Sequence, residues 1–449
     1  MRDLYAFVGR DLLGVFHETA DGAVFEYTDS SRTTPLSLSL PRGRASSPQA
    51  GINYLDNLLP DRADVRARWA RDRSLTSSDT FTLASAYGED VAGAVTLTPD
   101  PDRPRTTTGP LIEATEDDIA SRIASIRQDD TSWIDPRVKP RMSLAGAQGK
   151  FSLSRIGDRW YWPSYDRPST HILKPPSPKH RNIETFEVLG LELARRVGVE
   201  AATSHRMTWL GQSCFVVERF DRDANGQRIP AEDINQALGR PVAAKYAATA
   251  PEVGRLMAAH GSERRFVRQL AFNVALGNGD AHAKNYSFLL AGDRAVLAPI
   301  YDTVPTILYP TYNSDFSMPI GNACRPGDLN ERNWRRFADD AGLDPDMVCE
   351  EAFAITTKVA ERYENLFSKA GLDPSRMKTI QTHVRVLRRS LPSPTATGPS
   401  STSLVAPSGN PYNSVRSTTR RRTASGDECG RPTASGGACR RRGHCPYHR

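Results

Sequence analysis

The segment Gly279-Asp280-Ala281-His282-Ala283-Lys284-Asn285, closed by Tyr301-Asp302, constrains this chain more than any other feature. Between Asn285 and Asp302 run Tyr286-Ser287-Phe288-Leu289-Leu290, then Ala291-Gly292-Asp293, then Ala295-Val296-Leu297-Ala298-Pro299-Ile300. Two apolar runs around a turn signal predict a β-hairpin. A hairpin brings its open ends together, so Asn285 and Asp302 are expected side by side. Two oxygen donors at one point suit a hard, octahedral cation such as magnesium. A hairpin with polar ends is common, and this segment alone does not exclude that plainer reading.

Asp280 and Asn285 stand in the D-x-x-x-x-N spacing of the protein-kinase catalytic loop. There the Asp accepts the proton of the acceptor hydroxyl and the Asn holds magnesium. Other elements precede it in kinase order. Met142 to Phe151 is a small-residue loop, with Ala145, Gly146, Ala147, Gln148 and Gly149 ending at Lys150. Small residues let backbone N–H groups approach phosphate oxygens. The loop matches neither standard Gly-rich pattern, and a tight hairpin turn is the competing account. Lys174 lies in a predicted strand and Glu187 on the helix after it, the arrangement of the Lys–Glu pair that positions ATP phosphates. Exposed surface charge explains either residue alone. Glu218, Arg219 and Phe220 end the last strand before the helical half, where a kinase hinge would meet adenine; a salt-bridged strand end is the alternative. The order of the five elements is harder to obtain by accident than any one of them.

The surrounding pattern predicts an α+β, two-lobed, protein-kinase-like fold, with a β-rich N-terminal lobe and a mostly helical C-terminal lobe. Residues 1–105 read as strand-rich. Ala23–Tyr27 and Leu36–Leu40 alternate with period two, and a helix follows Asn53–Pro60. A charged connector, 106–140, carries a helix from Asp117 to Gln128. Residues 141–220 hold strands at Trp160–Trp162, Thr170–Lys174 and Gln212–Phe220, and a helix from Glu184 to Val197. Residues 221–390 are helical around the hairpin, with Phe266–Leu276, Asn333–Ala341, Asp346–Phe367 and Arg376–Leu391 as helices.

The net charge of +7 is local. Leu391 to Arg449 holds nine arginines and two acidic residues, leaving the first 390 residues neutral. Any nucleic-acid argument from basicity therefore belongs to the tail. Residues 391–414 are uncharged and rich in Ser, Pro, Thr and Gly, a disordered linker by composition. In residues 415–449, Cys429, Cys439, Cys445 and His448 offer a Cys3His zinc set, with His444 as an alternative ligand. Arginine triplets at 420–422 and 440–442 flank it, which suggests a zinc knuckle binding nucleic acid or an acidic partner. An unstructured Arg/Ser tail with incidental cysteines accounts for the same residues. Cys214, Cys324 and Cys349 are scattered, as reduced structural thiols are. No apolar run is long enough to span a bilayer, and charges at Arg10-Asp11 argue against a secretory signal. A cytoplasmic protein is expected.

The chain resembles the HipA-family serine/threonine kinases, the toxins of HipBA-type toxin–antitoxin modules. The matching motifs are Ser143-Leu144-Ala145-Gly146-Ala147-Gln148, His171-Ile172-Leu173-Lys174, Val217-Glu218-Arg219-Phe220-Asp221, Glu232 to Gly239, Gly279 to Asn285, and Ile300-Tyr301-Asp302. Pro35–Pro41, Tyr54–Pro60 and Gly93-Ala94-Val95 resemble the family's N-terminal subdomain, so the likeness covers about residues 1–390. It implies Asp280 as base, Asn285 and Asp302 as magnesium ligands, and Lys174 on the ATP phosphates with Glu187 as partner. It implies a phosphate loop from Ala145 to Lys150, an adenine site at Glu218–Phe220, and support from His282, Lys284 and Tyr301. Ser143 matches the family's autophosphorylated serine, whose modification silences the kinase. A phosphoserine there adds about two negative charges where ATP phosphates must sit. Gly149 stands where an acidic residue is frequent, which would alter loop mobility. The resemblance also implies ATP and Mg2+, a protein substrate (aminoacyl-tRNA synthetases among known targets) and a HipB-like helix-turn-helix antitoxin linking the chain to DNA. A catalytically silent, DNA-associated regulator is the alternative, and a small-molecule kinase a third, since phosphotransfer machinery does not encode its acceptor.

Overall fold

A computed structural model describes residues 2–28, 33–103, 111–134, 145–312 and 315–390. The cysteine-bearing tail and Ser143 lie outside the described residues.

The N-terminal subdomain is a four-stranded sheet backed by helices. Strands β1 (Asp3–Val8), β2 (Asp11–Thr19), β3 (Gly22–Tyr27) and β4 (Val95–Thr98) pair antiparallel in the order β3-β2-β1-β4. Helices α1 (Pro48–Asn57), α2 (Ala63–Asp72) and α3 (Thr80–Tyr87) lie between β3 and β4 in sequence. Ser47 caps α1 by accepting from the Ala50 N–H, and Asp79 caps α3 through Thr82, each satisfying an orphan donor of the first turn. The core joins Leu4, Phe16 and Phe25 of the sheet to Tyr54 and Leu55 of α1. The expected helix after Pro60 is α2. The period-two run Leu36–Leu40 forms no strand; Ser37 and Leu40 make only an isolated bridge. Its first polar position is not solvent-facing: Ser37 is fully buried and donates to Glu232 of the other subdomain. Alternation there records two buried environments rather than a half-exposed strand.

The helix expected in the connector is α4 (Glu116–Gln128), opened by a reciprocal Thr115–Asp118 capping box. Its Ile119, Ile123 and Ile126 cover one face of a five-stranded antiparallel sheet. That sheet runs β6-β5-β7-β9-β8, from β5 (Phe151–Ile156), β6 (Arg159–Tyr161), β7 (His171–Lys174), β8 (Ser204–Trp209) and β9 (Gln212–Glu218). Along β9, Cys214 and Val216 face the α4 side, while Phe215 and Val217 face the larger core. The side-chain period of two thus lets one strand serve two cores. Each isoleucine of α4 taken from water contributes roughly 1.5–3 kcal/mol. Helix α5 (Ile183–Arg196) covers the opposite face, burying Phe186, Leu193 and Ala194.

The second lobe holds the short α6 (Ile234–Ala237), α7 (Ala250–Ala259), α8 (Glu263–Leu276), α9 (Glu331–Ala341), α10 (Pro345–Ser368) and α11 (Pro374–Ser390). Helices α8 and α10 pack side by side in its core. Gly277 ends α8 at φ +79°, and a Cβ there would meet Ile307 at 2.6 Å; both facts require glycine. The predicted hairpin is β11 (Ser287–Ala291) and β12 (Arg294–Leu297), paired Phe288↔Leu297 to Ala291↔Arg294. β10 (Ala231–Asp233) adds a third strand along β11. Among the described residues, no helix is long and apolar enough to cross a membrane.

Candidate active site

The hairpin does what its sequence predicts. Asn285 enters β11 and Asp302 follows β12, and the Asn285 Nδ2 donates to Asp302 Oδ2 at 2.9 Å. Asp302 takes a left-handed conformation, φ +56°, which is uncommon for any residue but glycine. Asn278 Nδ2 donates to its carbonyl at 3.4 Å. On the opposite wall, Lys174 closes β7 and Glu187 faces it from α5. The Lys174 ammonium donates to Glu187 Oε1 at 2.7 Å and to Asp302 Oδ1 at 2.8 Å. One cation therefore ties the strand, the helix and the residue after the hairpin to a single point.

The electrostatics follow from that geometry. Burial works against the Lys174 charge, but Asp302 and Glu187 together raise its pKa. Burial also pushes the Asp302 carboxyl up; Lys174 overrides it and holds the group well below the ordinary carboxylate range. Glu187 is the more enclosed carboxylate, and burial raises it to about 7 in spite of Lys174. Asp302 is the one that keeps its negative charge beside the cavity.

That cavity has a volume of about 300 Å³, at the lower end of ordinary ligand pockets. Ala145, Gly146, Ala147, Gln148 and Lys150 border it, as do Lys174, Glu187, Glu218, Arg219, Phe220, Asp280, His282, Lys284, Asn285, Tyr301 and Asp302. Ile172, Val217, Ala202 and Val304 supply apolar wall. Phe220 and Tyr301 lie ring against ring, centroids 5.1 Å apart and 30° from coplanar. The Arg219 guanidinium is committed elsewhere, to Asp221 at 2.7 Å, Ser169 and the Val91 carbonyl. Gly149 stands off the wall: a Cβ there would meet Ile126 of α4 at 2.6 Å. The close approach of α4 accounts for glycine at this position.

Lys150 turns back into its loop, donating to the Ala145 carbonyl at 2.7 Å, with Trp133 5.3 Å from its ammonium. Gly146, at φ +106°, leaves room for that ammonium, since a Cβ would come within 2.6 Å of it. Burial lowers Lys150 to about 8, and the Lys174 charge adds to the effect. Burial raises the pKa of Asp280, while a Tyr246 hydrogen bond pulls it back. Its Oδ1 accepts from the Tyr246 hydroxyl at 2.7 Å. His282 is buried and lowered to about 4, so its imidazole is neutral near pH 7. The His282 backbone N–H donates to Asn285 Oδ1 at 3.1 Å, which fixes the amide.

Asn285 and Asp302 fit a magnesium ion in their chemistry. Both residues carry hard oxygens, although here the Asn285 Nδ2 is turned to Asp302 and its Oδ1 accepts from the His282 backbone N–H, so Oδ1 would meet the ion through its remaining lone pair. Magnesium takes one or two such protein ligands and completes its shell with water and phosphate. No larger His/Cys/Asp/Glu cluster is required, and among the described residues none occurs.

Sequence reasoning missed part of the wall. Asn57, Asp61, Asp233 and Lys245 all border the cavity. Lys284 donates to the carbonyl and Oδ1 of Asn57, both at 3.0 Å, and lies 3.4 Å from Asp233. Lys245 pairs with Asp61 at 2.8 Å. Asp61 also accepts from the Gly146 N–H at 3.4 Å, and its own N–H donates to the Gly146 carbonyl at 3.0 Å. Asn57 lies in the Tyr54–Pro60 stretch singled out for family likeness, and Asp61 directly follows it. Polarity beside the apolar Leu58-Leu59-Pro60 was the available signal.

Residues 142–366 match the HipA-like C-terminal domain, and residues 4–98 match the HipA N-terminal domain. Over 373 residues the chain is 31% identical to the putative kinase Y4mE of Sinorhizobium fredii, covering 78% of this chain and 88% of that protein. It is 27% identical over 387 residues to the serine/threonine-protein kinase toxin HipA of Shewanella oneidensis, covering 77% and 84%. The solved structure of HipA from Shewanella oneidensis, in complex with HipB and operator DNA, superposes with a TM-score of 0.70 at 23% identity, covering 86% of this chain and 96% of that one. That likeness establishes the two-lobed, protein-kinase-like fold with its added N-terminal subdomain. With both HipA domain types in order and a relative matched along most of its length, the chain belongs to the HipA family.

Proposed function

We propose that this chain is a serine/threonine protein kinase that moves the γ-phosphate of ATP to a protein hydroxyl and acts as a HipA-type, growth-inhibiting toxin. The observation that carries the reading is Lys174 bridging Glu187 and Asp302, with Asn285 on the same carboxylate. Relatives named as kinases support it. Asp280 takes the acceptor proton as the acceptor oxygen attacks the γ-phosphorus; the bond to the β–γ bridging oxygen breaks and ADP leaves. Lys174 and Lys150 hold phosphate charge, and the Phe220–Tyr301 pair with its apolar neighbours takes the base. A magnesium ion on Asn285 and Asp302 would neutralise charge on the β- and γ-oxygens.

In this reading Ser143 is the autophosphorylation site that silences the kinase. The HipB and DNA of the Shewanella complex support a HipB-like antitoxin that carries the chain to DNA, in a cytoplasmic setting. A translation-related protein such as an aminoacyl-tRNA synthetase is the proposed target, and a zinc knuckle at Cys429, Cys439, Cys445 and His448 a nucleic-acid contact.

The test is incubation with ATP and magnesium beside Asp280→Ala, with phosphosites mapped by mass spectrometry. Phosphate on Ser143 in the wild type alone is expected. No phosphate on initially unmodified protein that still binds ATP would favour a silent, DNA-associated regulator.

A further inference from the structure

The two sides of Asp280 are built differently. Its inner side faces the cavity, with Asp302, Lys174 and the phosphate loop beyond. On its outer side, Oδ1 accepts from Tyr246 at 2.7 Å. Tyr246 stands outside the cavity wall and is 52% exposed. Even so, both ends of this side chain are held. The hydroxyl is on Asp280, and the ring stands edge-on to His282, centroids 4.9 Å apart at 80°. Its backbone is held too: the Lys245 carbonyl accepts from the Ala283 N–H at 3.2 Å, and the Lys245 ammonium is on Asp61. A hydrogen bond to a carboxylate is of the stronger, charge-assisted kind, and it accounts for a fixed orientation in a side chain so open to water.

An acceptor hydroxyl must come within hydrogen-bond reach of its base. The nucleotide fills the inner side, so the acceptor arrives from the outer one, where the Tyr246 hydroxyl already sits. We propose that the Tyr246 hydroxyl occupies the acceptor-hydroxyl subsite of Asp280, and that an incoming serine or threonine displaces it. Tyr246 is then a specificity-determining residue for an aliphatic hydroxyl presented by a protein, a role that rests on the kinase reading above. Because the hydroxyl is rigid on the ring axis, it leaves Asp280 only when the whole side chain swings outward and gives up its edge contact with His282. Until an acceptor arrives, the phenol also keeps water from Asp280 and so limits idle ATP hydrolysis.

Tyr246→Phe in the full chain tests this, because it deletes the hydroxyl and keeps the ring. The acceptor probe is a synthetic peptide of residues 137–149, whose one hydroxyl side chain is Ser143. With competition relieved, the peptide KM falls about three- to tenfold, the span of one modest hydrogen bond, while kcat is not lowered and ATP affinity is unchanged. ATP hydrolysis without peptide rises by a similar factor. An unchanged or higher peptide KM overturns the proposal, as does a lower kcat at constant KM, which would make Tyr246 a positioning residue for the base. If the peptide accepts no phosphate, an unchanged hydrolysis rate overturns it. A wild type that binds ATP yet neither hydrolyses nor transfers it removes the kinase reading itself, and this proposal with it.

Discussion

A single ammonium carries much of this site, and its neighbours show what its loss would do. Lys174 serves two carboxylates, of which Glu187 is almost fully enclosed. Lys174→Met removes the cation and leaves both acids facing one another. Breaking a buried pair from one side costs roughly 3–5 kcal/mol, so a lowered Tm and loss of ATP binding are expected. Adding Glu187→Gln should restore much of the Tm by removing the buried acid left without its partner, without restoring ATP binding in calorimetry. Recovery of both would show that Lys174 acts on the fold alone. Lys150 gives a pH signature instead. Its ordinary ammonium titrates near pH 10.5, but burial brings it to about 8. Phosphate favours the cation, so nucleotide binding takes up a proton wherever free Lys150 is partly neutral. ATP affinity is therefore full below about pH 8 and declines above it. Calorimetry in two buffers of different ionisation enthalpy reads the uptake, which Lys150→Arg should abolish. These two lysines were legible in sequence because each sits in a motif with a fixed neighbour. Tyr246 was not, because a tyrosine in a loop signals nothing until the fold brings Asp280 to it.

Elements position these residues, and helix α5 does so by close approach. Gly190 stands one turn beyond Glu187, and a Cβ there would lie 2.3 Å from the Thr303 carbonyl oxygen. Intrinsic helix propensity favours alanine over glycine by about 1 kcal/mol. Packing opposes it, since backbone cannot move aside as a side-chain tip can. Gly190→Ala is expected to destabilise the protein by about 1–3 kcal/mol and to weaken ATP binding, because α5 must withdraw Glu187 from Lys174. Thermal melts and ATP titration check it, and a higher Tm would show that propensity wins. The hairpin was the most legible element: an apolar run on each side of a Gly-containing turn left one pairing. Leu36–Leu40 carried a period of two and misled, because Ser37 answers to Glu232, nearly two hundred residues away. Periodicity reports how neighbours alternate, and it cannot name the surface they meet.

At the scale of the molecule, the N-terminal subdomain is part of the active-site wall. Asn57, at the end of α1, is buried and bonded on every side: it donates to the Asn53 and Arg240 carbonyls and accepts from Asn235 and Lys284. Further contacts run from Gly93 to Asp221, from Asp90 to Arg222, and from Asp61 to Lys245. Beyond the polarity of Asn57 and Asp61 beside an apolar run, none of these pairings was readable beforehand, since polar residues at long separation carry no pattern in one sequence. The arrangement makes a quantitative claim about Asn57 and Lys284, which belong to different subdomains. Residues that act independently add within about 0.3–0.5 kcal/mol, whereas residues in one network couple by about 0.5–3 kcal/mol. A double-mutant cycle of Asn57→Ala and Lys284→Met, read by denaturant unfolding, is expected to show about 1 kcal/mol of coupling or more. Asn57→Ala alone should also lower phosphotransfer kcat/KM by about tenfold, because small displacements of a catalytic loop cost rate steeply. Additive stabilities with undiminished activity would reduce the N-terminal subdomain to a neighbour of the kinase. Coupling in both readouts would make it a structural half of the site, so that anything gripping the N-terminal subdomain also acts on the loop that carries Asp280.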